Sequence, residues 1–181
     1  TGNESNAQLL LNSAITNFEN SKTRRPKRIQ KNIDCYRLLG EIYVNQQQYL
    51  LAEETYGKGI LLFEEEQKNS FLKSTPEIGN LYADLGDLDY FISGNMDNAL
   101  LNYTKATKNE YDDASVNYKI GFIQYAKKDY EQALSAFIKS SQEKSDDKNL
   151  LYSLGNVLAL RNDDYSAQGY YERLIDILDL E

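Results

Sequence analysis

The sequence has no histidine and no tryptophan, and only one cysteine, one methionine and two prolines in 181 residues. Without imidazole it offers no histidine general base, no Ser-His-Asp or Cys-His pair and no histidine-ligated metal. Its one thiol, Cys35, supports neither an internal disulfide nor a thiolate zinc cage, and a small buried hydrophobe is the default role. No apolar run approaches the roughly 18–20 residues of a membrane span. No Walker-type or dinucleotide glycine loop occurs. Carboxylates are plentiful, but runs such as Glu64-Glu65-Glu66 and Asp146-Asp147 fall in turn or helix-end settings, where solvation accounts for them. Asp84, Asp87 and Asp89 raise the question of a cation site, yet lack the spacing and glycine of a calcium loop. A non-enzymatic chain without cofactor is expected.

What is present is a 41% hydrophobic sequence with 15 tyrosines and a formal charge of −8. The charge is uneven. Residues 1–32 carry six basic side chains (Lys22, Arg24, Arg25, Lys27, Arg28, Lys31) against Glu4 and Glu19, a net of +4. The remaining 14 basic and 26 acidic residues give −12. The cluster could meet phosphate or an anionic membrane surface. A solvated connection against the chain's own acidic body is favoured, because Pro26 interrupts it and no glycine-rich loop accompanies it. The acidic total argues against nucleic acid as the main partner. The chain opens on Thr1 and a small polar segment, as a lipid-anchored envelope protein does after its modified cysteine, and as a trimmed chain does. Both a cytoplasmic and a periplasmic or lipid-anchored location stay open, with membrane contact only through such an upstream anchor.

Internal repetition organises the rest. Ala99, Ala133 and Ala167 lie 34 residues apart, as do Tyr103, Phe137 and Tyr171, and Gly121 and Gly155. An earlier copy, Ala52 and Tyr56, precedes Ala99 and Tyr103 by 47 residues, which is one period plus 13. The spare residues fall around Gln67 to Ile78 and end in Ser74-Thr75-Pro76-Glu77, a helix-start signal of side-chain cap, pre-set φ and favourable charge. The insertion is therefore expected to lengthen the preceding helix and the turn after it. Small residues at these phases let two helix backbones approach, and the large residues three or four positions away fill the grooves around the contact.

The third copy reads Asn117-Tyr118-Lys119-Ile120-Gly121, Tyr125, Tyr130, Ala133, Phe137 and Ser140. The fourth reads Leu151, Leu154-Gly155, Leu158, Ala167, Tyr171 and Leu174. These residues resemble the tetratricopeptide repeat (TPR), a 34-residue helix-turn-helix unit. The resemblance implies an all-α fold, a right-handed superhelical solenoid of antiparallel helix pairs. It spans residues 33–181 in repeats of about 33–66, 80–113, 114–147 and 148–181, with the insertion at about 67–79. In the second copy Gly86 and Gly94 are one residue further apart than the pattern asks, so an irregularity is expected in its first helix. Residues 1–32 are expected to form a polar N-terminus, a capping helix over Ala7–Ser21 with Leu10, Leu11, Ala14, Ile15 and Phe18 on one side, and the basic connection. The last helix would present Tyr171, Leu174, Ile175 and Leu178, either inward or to a partner such as a second copy.

The resemblance also implies a concave groove lined by first helices, in which family members hold a peptide or helix of a partner. Phase places Arg37, Glu41, Val44 and Asn45 there from the first unit, and Asn80, Ala83, Asp84 and Asp87 from the second. The third supplies Tyr118, Lys119, Phe122 and Tyr125, and the fourth Asn149, Tyr152, Asn156 and Ala159. Members that clamp an acidic chaperone tail use a lysine and two asparagines early in the array. Glu41, Asp84 and Asp87 would instead repel a carboxylate, so a basic, neutral or aromatic-bearing partner is expected. The function that follows is a protein-interaction scaffold, for example in a cell-envelope complex. Alternatives are self-association through the last helix and a small-ligand or metal-binding body.

Overall fold

A computed structural model describes residues 2–69 and 72–180. Ser70 and Phe71, within the expected insertion, lie outside the described residues, as do Thr1 and Glu181. Nine helices run through the described part: α1 Gly2–Glu19, α2 Pro26–Asn45, α3 Tyr49–Asn69, α4 Pro76–Phe91, α5 Met96–Lys108, α6 Ala114–Ala126, α7 Tyr130–Ser141, α8 Lys148–Leu160 and α9 Asp164–Asp179. Contacts divide the chain into two units, residues 1–111 with α1–α5 and residues 112–181 with α6–α9.

Local chemistry recurs with the period. The side chains of Asn95, Asp129 and Asp163, each 34 residues from the next, accept from Asn98, Gln132 and Ser166 amides at the starts of α5, α7 and α9. Asp113 and Asp147 cap α6 and α8 in the same way. An acceptor there satisfies an amide that has no partner inside the helix. The turn within each pair contains one residue at positive φ: Gln47, Gly94, Lys128 or Asn162. Only one of these is glycine, so three pairs hold an ordinary side chain in the left-handed region. Pro76 opens α4 as expected, but Thr75 makes no side-chain cap bond.

The decisive packing is between glycine and ring. A Cβ added to Gly40 would lie 2.2 Å from the Tyr56 ring, at Gly86 2.8 Å from Tyr103, at Gly121 2.5 Å from Phe137 and at Gly155 2.4 Å from Tyr171. Each first helix thus presses bare backbone onto the aromatic of its second helix. The alanines four residues before those rings, Ala52, Ala99, Ala133 and Ala167, are buried. The irregularity expected inside the first helix of the second pair is absent. Helix α4 is continuous, and the extra residue sits in a four-residue turn, 92–95, where the other pairs have three. A loop absorbs a residue without breaking a helical hydrogen bond, so the Gly86–Tyr103 contact survives the insertion.

Two N-terminal expectations change. Helix α1 begins at Gly2 rather than Ala7. It packs on α2, burying Ile15 and Phe18 while Leu10 and Ala14 stay exposed. One neighbouring helix covers only a narrow stripe. Pro26 does not break the basic segment but starts α2, placing Lys27, Arg28 and Lys31 on a helix. The guanidinium carbons of Arg24 and Arg28 lie 4.5 and 5.8 Å from the Phe18 ring centroid, and Arg28 Nη1 donates to Ser21 Oγ at 2.6 Å. Part of the cluster is therefore folded onto its own helix α1. Cys35 is half-buried beside the Ile15–Tyr36–Leu39 cluster, and burial pushes its thiol pKa up. In α9, Tyr171 packs on the second unit's core while Ile175 and Leu178 remain exposed.

Gly40→Ala is expected to cost about 1–3 kcal/mol, because the Tyr56 ring it meets is only 2% exposed. Gly169→Ala, in α9 with nothing within 4 Å, is expected to gain about 0.5–1 kcal/mol from helix propensity. Urea melts of the two variants should move in opposite directions, and equal shifts would deny the contact its role.

Candidate binding grooves

In the first unit, the middle and last turns of α2 and α4 and the start of α3 enclose a cavity of about 420 Å³. Of the residues expected in a groove, Glu41, Val44, Asn45, Asp84 and Asp87 line it, while Asn80 and Ala83 do not. Arg37 is not in the lining but acts on it. Its Nη1 lies 3.5 Å from Glu41 Oε2 and 3.5 Å from Asp84 Oδ2. Tyr49, Leu88, Phe91 and Ile92 complete the wall. Leu88, Phe91 and Ile92 escape a list of first-helix phases because they occupy the end of α4 and the turn after it, where the second repeat carries its extra residue, while Tyr49 is an in-phase repeat residue that opens a second helix.

In the second unit, a cavity of about 360 Å³ is lined by Tyr118, Phe122, Tyr125, Phe137, Asn149, Tyr152, Ser153 and Asn156. Six of the eight residues expected from α6 and α8 are brought together there. Lys119 and Ala159 are outside the lining. Phe122 and Tyr152 are 40% and 56% exposed, whereas Tyr118 and Tyr125 are half-buried against the core. The Tyr118 ring lies 5.6 Å from Phe137, and its hydroxyl is 3.5 Å from Ser153 Oγ. Tyr118 is thus chiefly a packing residue, and Phe122 and Tyr152 carry the accessible aromatic surface.

One position links the two cavities chemically. The residue following each packed glycine is Glu41, Asp87, Phe122 or Asn156. The Tyr103 hydroxyl donates to Asp87 Oδ1 at 2.6 Å and the Tyr171 hydroxyl to Asn156 Oδ1 at 2.7 Å. Where the ring is Phe137, with no hydroxyl to satisfy, the position is the apolar Phe122. In these two pairs a groove residue therefore also serves the hydroxyl of the helix behind it, as a phenol held in the packing requires. Burial, and then the Asp87 carboxylate accepting its proton, hold the Tyr103 hydroxyl far above its ordinary pKa.

The first cavity is electrostatically loaded. Burial, with Glu41 and Asp87 adding to it and Arg37 opposing, pushes the Asp84 carboxyl from its ordinary 3.8 up to about 6. Its Oδ2 is buried without a hydrogen-bond partner, the Arg37 approach being too long to supply a good one. The three aspartates do not form a cation cage. Asp87 accepts from Tyr103, while Asp89 Oδ2 accepts from Asn102 Nδ2 at 2.8 Å and is absent from the cavity lining. Among the described residues no group of three histidine, cysteine or carboxylate side chains is placed to hold a metal.

The fold has known counterparts. The structure aligns with BtubC (BKLC) from P. vanneervenii at a TM-score of 0.70 and 16% identity, covering 99% of this chain and 74% of that one. It aligns with YrrB, described as a TPR protein with an unusual peptide-binding site, at 0.60 and 18%, covering 84% and 75%. The C-terminal part of a TPR repeat-containing protein from Cytophaga hutchinsonii matches at 0.56 and 18%, covering 96% and 78%. No family model matches the sequence, and no curated protein sequence is similar to it. The chain has the tetratricopeptide-repeat fold: all α-helical, built of paired helices in solenoid fashion.

The raised Asp84 pKa has a stability consequence. The folded state disfavours the charged carboxylate, so the penalty is full above about pH 6 and vanishes below about pH 4, where both states are protonated. A change from 3.8 to about 6 corresponds to about 3 kcal/mol at most. Asp84→Asn is therefore expected to be more stable than the parent at pH 8, with the gain fading toward pH 4. Denaturant titrations at the two pH values check this, and a gain independent of pH would show that the carboxylate's charge is not the cause.

Proposed function

We propose that the chain is a non-catalytic interaction scaffold that holds a peptide segment or helix of a partner protein in its first-helix grooves. One observation supports this most. Residues of α6 and α8 that repeat phase places on one face converge on a cavity, where exposed Phe122 and Tyr152 stand beside Asn149 and Asn156. Aromatic surface gives broad apolar contact at low entropic cost, and amide side chains bond peptide backbone. The description of YrrB as having a peptide-binding site is in keeping with this use of the fold. A second reading, self-association, has the exposed Ile175 and Leu178 of α9 in its favour.

Phe122→Ala combined with Tyr152→Ala is expected to abolish capture of a partner from the native host with little change in melting temperature, since neither ring is buried. Recovery of the same partners by the double variant would overturn the groove reading. Light scattering of Leu178→Asp alongside it decides the second: a parent dimer lost in that variant supports self-association, and an unchanged monomer removes it.

A further inference from the structure

Building on the peptide-groove reading, we propose that the cavity of the first unit recognises a lysine or arginine side chain carried by the bound segment. Its lining is graded along the helices. Glu41, Asp84 and Asp87 sit on the middle turns of α2 and α4, whereas Val44, Leu88, Phe91 and Ile92 sit on their last turns or just beyond, with Tyr49 opening α3. Asp84 and Phe91 are seven residues apart on one helix, about 10 Å along its axis. A long aliphatic stem ending in a cation matches that gradient: the stem lies on apolar wall and the head reaches carboxylate.

Charge favours the same guest. Two of the cavity's carboxylates, Glu41 and Asp84, share one guanidinium, which stands 3.5 Å from each. The buried Asp84 Oδ2 has no hydrogen-bond donor. An incoming ammonium or guanidinium supplies donors and charge together, and such charge-assisted bonds are among the stronger ones. A carboxylate guest meets repulsion, and a neutral apolar guest leaves the buried oxygen unsatisfied. The buried Tyr56 ring, packed against Gly40, also lines the cavity and forms its floor.

The test titrates the full ¹⁵N-labelled chain with N-acetyl-arginine methylamide, N-acetyl-lysine methylamide and N-acetyl-norleucine methylamide at low ionic strength. The cationic amides are expected to shift resonances within 41–49 and 84–92 and to bind at least tenfold more tightly than norleucine. That preference is expected to disappear in Glu41→Gln/Asp84→Asn and to weaken in Glu41→Gln alone, whose half-exposed carboxylate is not needed for folding. Equal affinity for the norleucine probe, shifts confined to other residues, or a preference retained in the double variant would each overturn the proposal. Partner capture that depends on Phe122 and Tyr152, without any arginine preference here, would leave the groove reading standing and remove only the cation pocket.

Discussion

The contact between a glycine backbone and an aromatic ring, made once in each of four helix pairs, is the constraint on which the remaining features depend. It sets the closest approach of first and second helix. The glycine and the ring are 16 residues apart in three pairs and 17 in the other, and the extra residue of that pair is confined to the 92–95 turn. The chain tolerates a longer turn, a longer α3 and a differently started α4, but the glycine stays against the ring. Close-packed interiors allow little else, because a methyl group placed there would overlap a ring that has nowhere to go.

Some of the groove chemistry follows from that contact. In two pairs the residue after the glycine also serves the ring's outer end: Asp87 accepts from the Tyr103 hydroxyl and Asn156 from that of Tyr171. Part of the acidic charge has an equally local cause, since Asp113, Asp129, Asp147 and Asp163 cap helices. In the first cavity Glu41 and Asp84 instead share the single guanidinium of Arg37.

The helix pairs were legible because the 34-residue spacing of small and aromatic residues is a one-dimensional signal of packing. Eleven of the sixteen residues placed in the groove by phase line one of the two cavities, while Arg37, Asn80, Ala83, Lys119 and Ala159 do not. Phase specifies which face of a helix a side chain is on, but not whether a long cation folds back onto a neighbouring carboxylate, as Arg37 does. The cavity walls made by Phe91 and Ile92 were hidden for another reason: they belong to the end of α4 and the turn after it, where repeats differ. Likewise Asp146-Asp147 reads as solvated charge, although Asp147 is a cap. The basic stretch around Pro26 looks like a linker from composition, yet proline at a helix's first position is a start signal, and α2 begins there.

A double-mutant cycle at Gly121 and Phe137 tests the central constraint most directly, since this ring carries no hydroxyl to confuse the result. Gly121→Ala, Phe137→Leu and the double variant would be compared by equilibrium unfolding. If the glycine exists to admit the ring, shrinking the ring relieves the methyl clash, and the double variant should be more stable than the sum of the single losses implies, by at least about 1 kcal/mol. Strict additivity of the two losses would contradict the account.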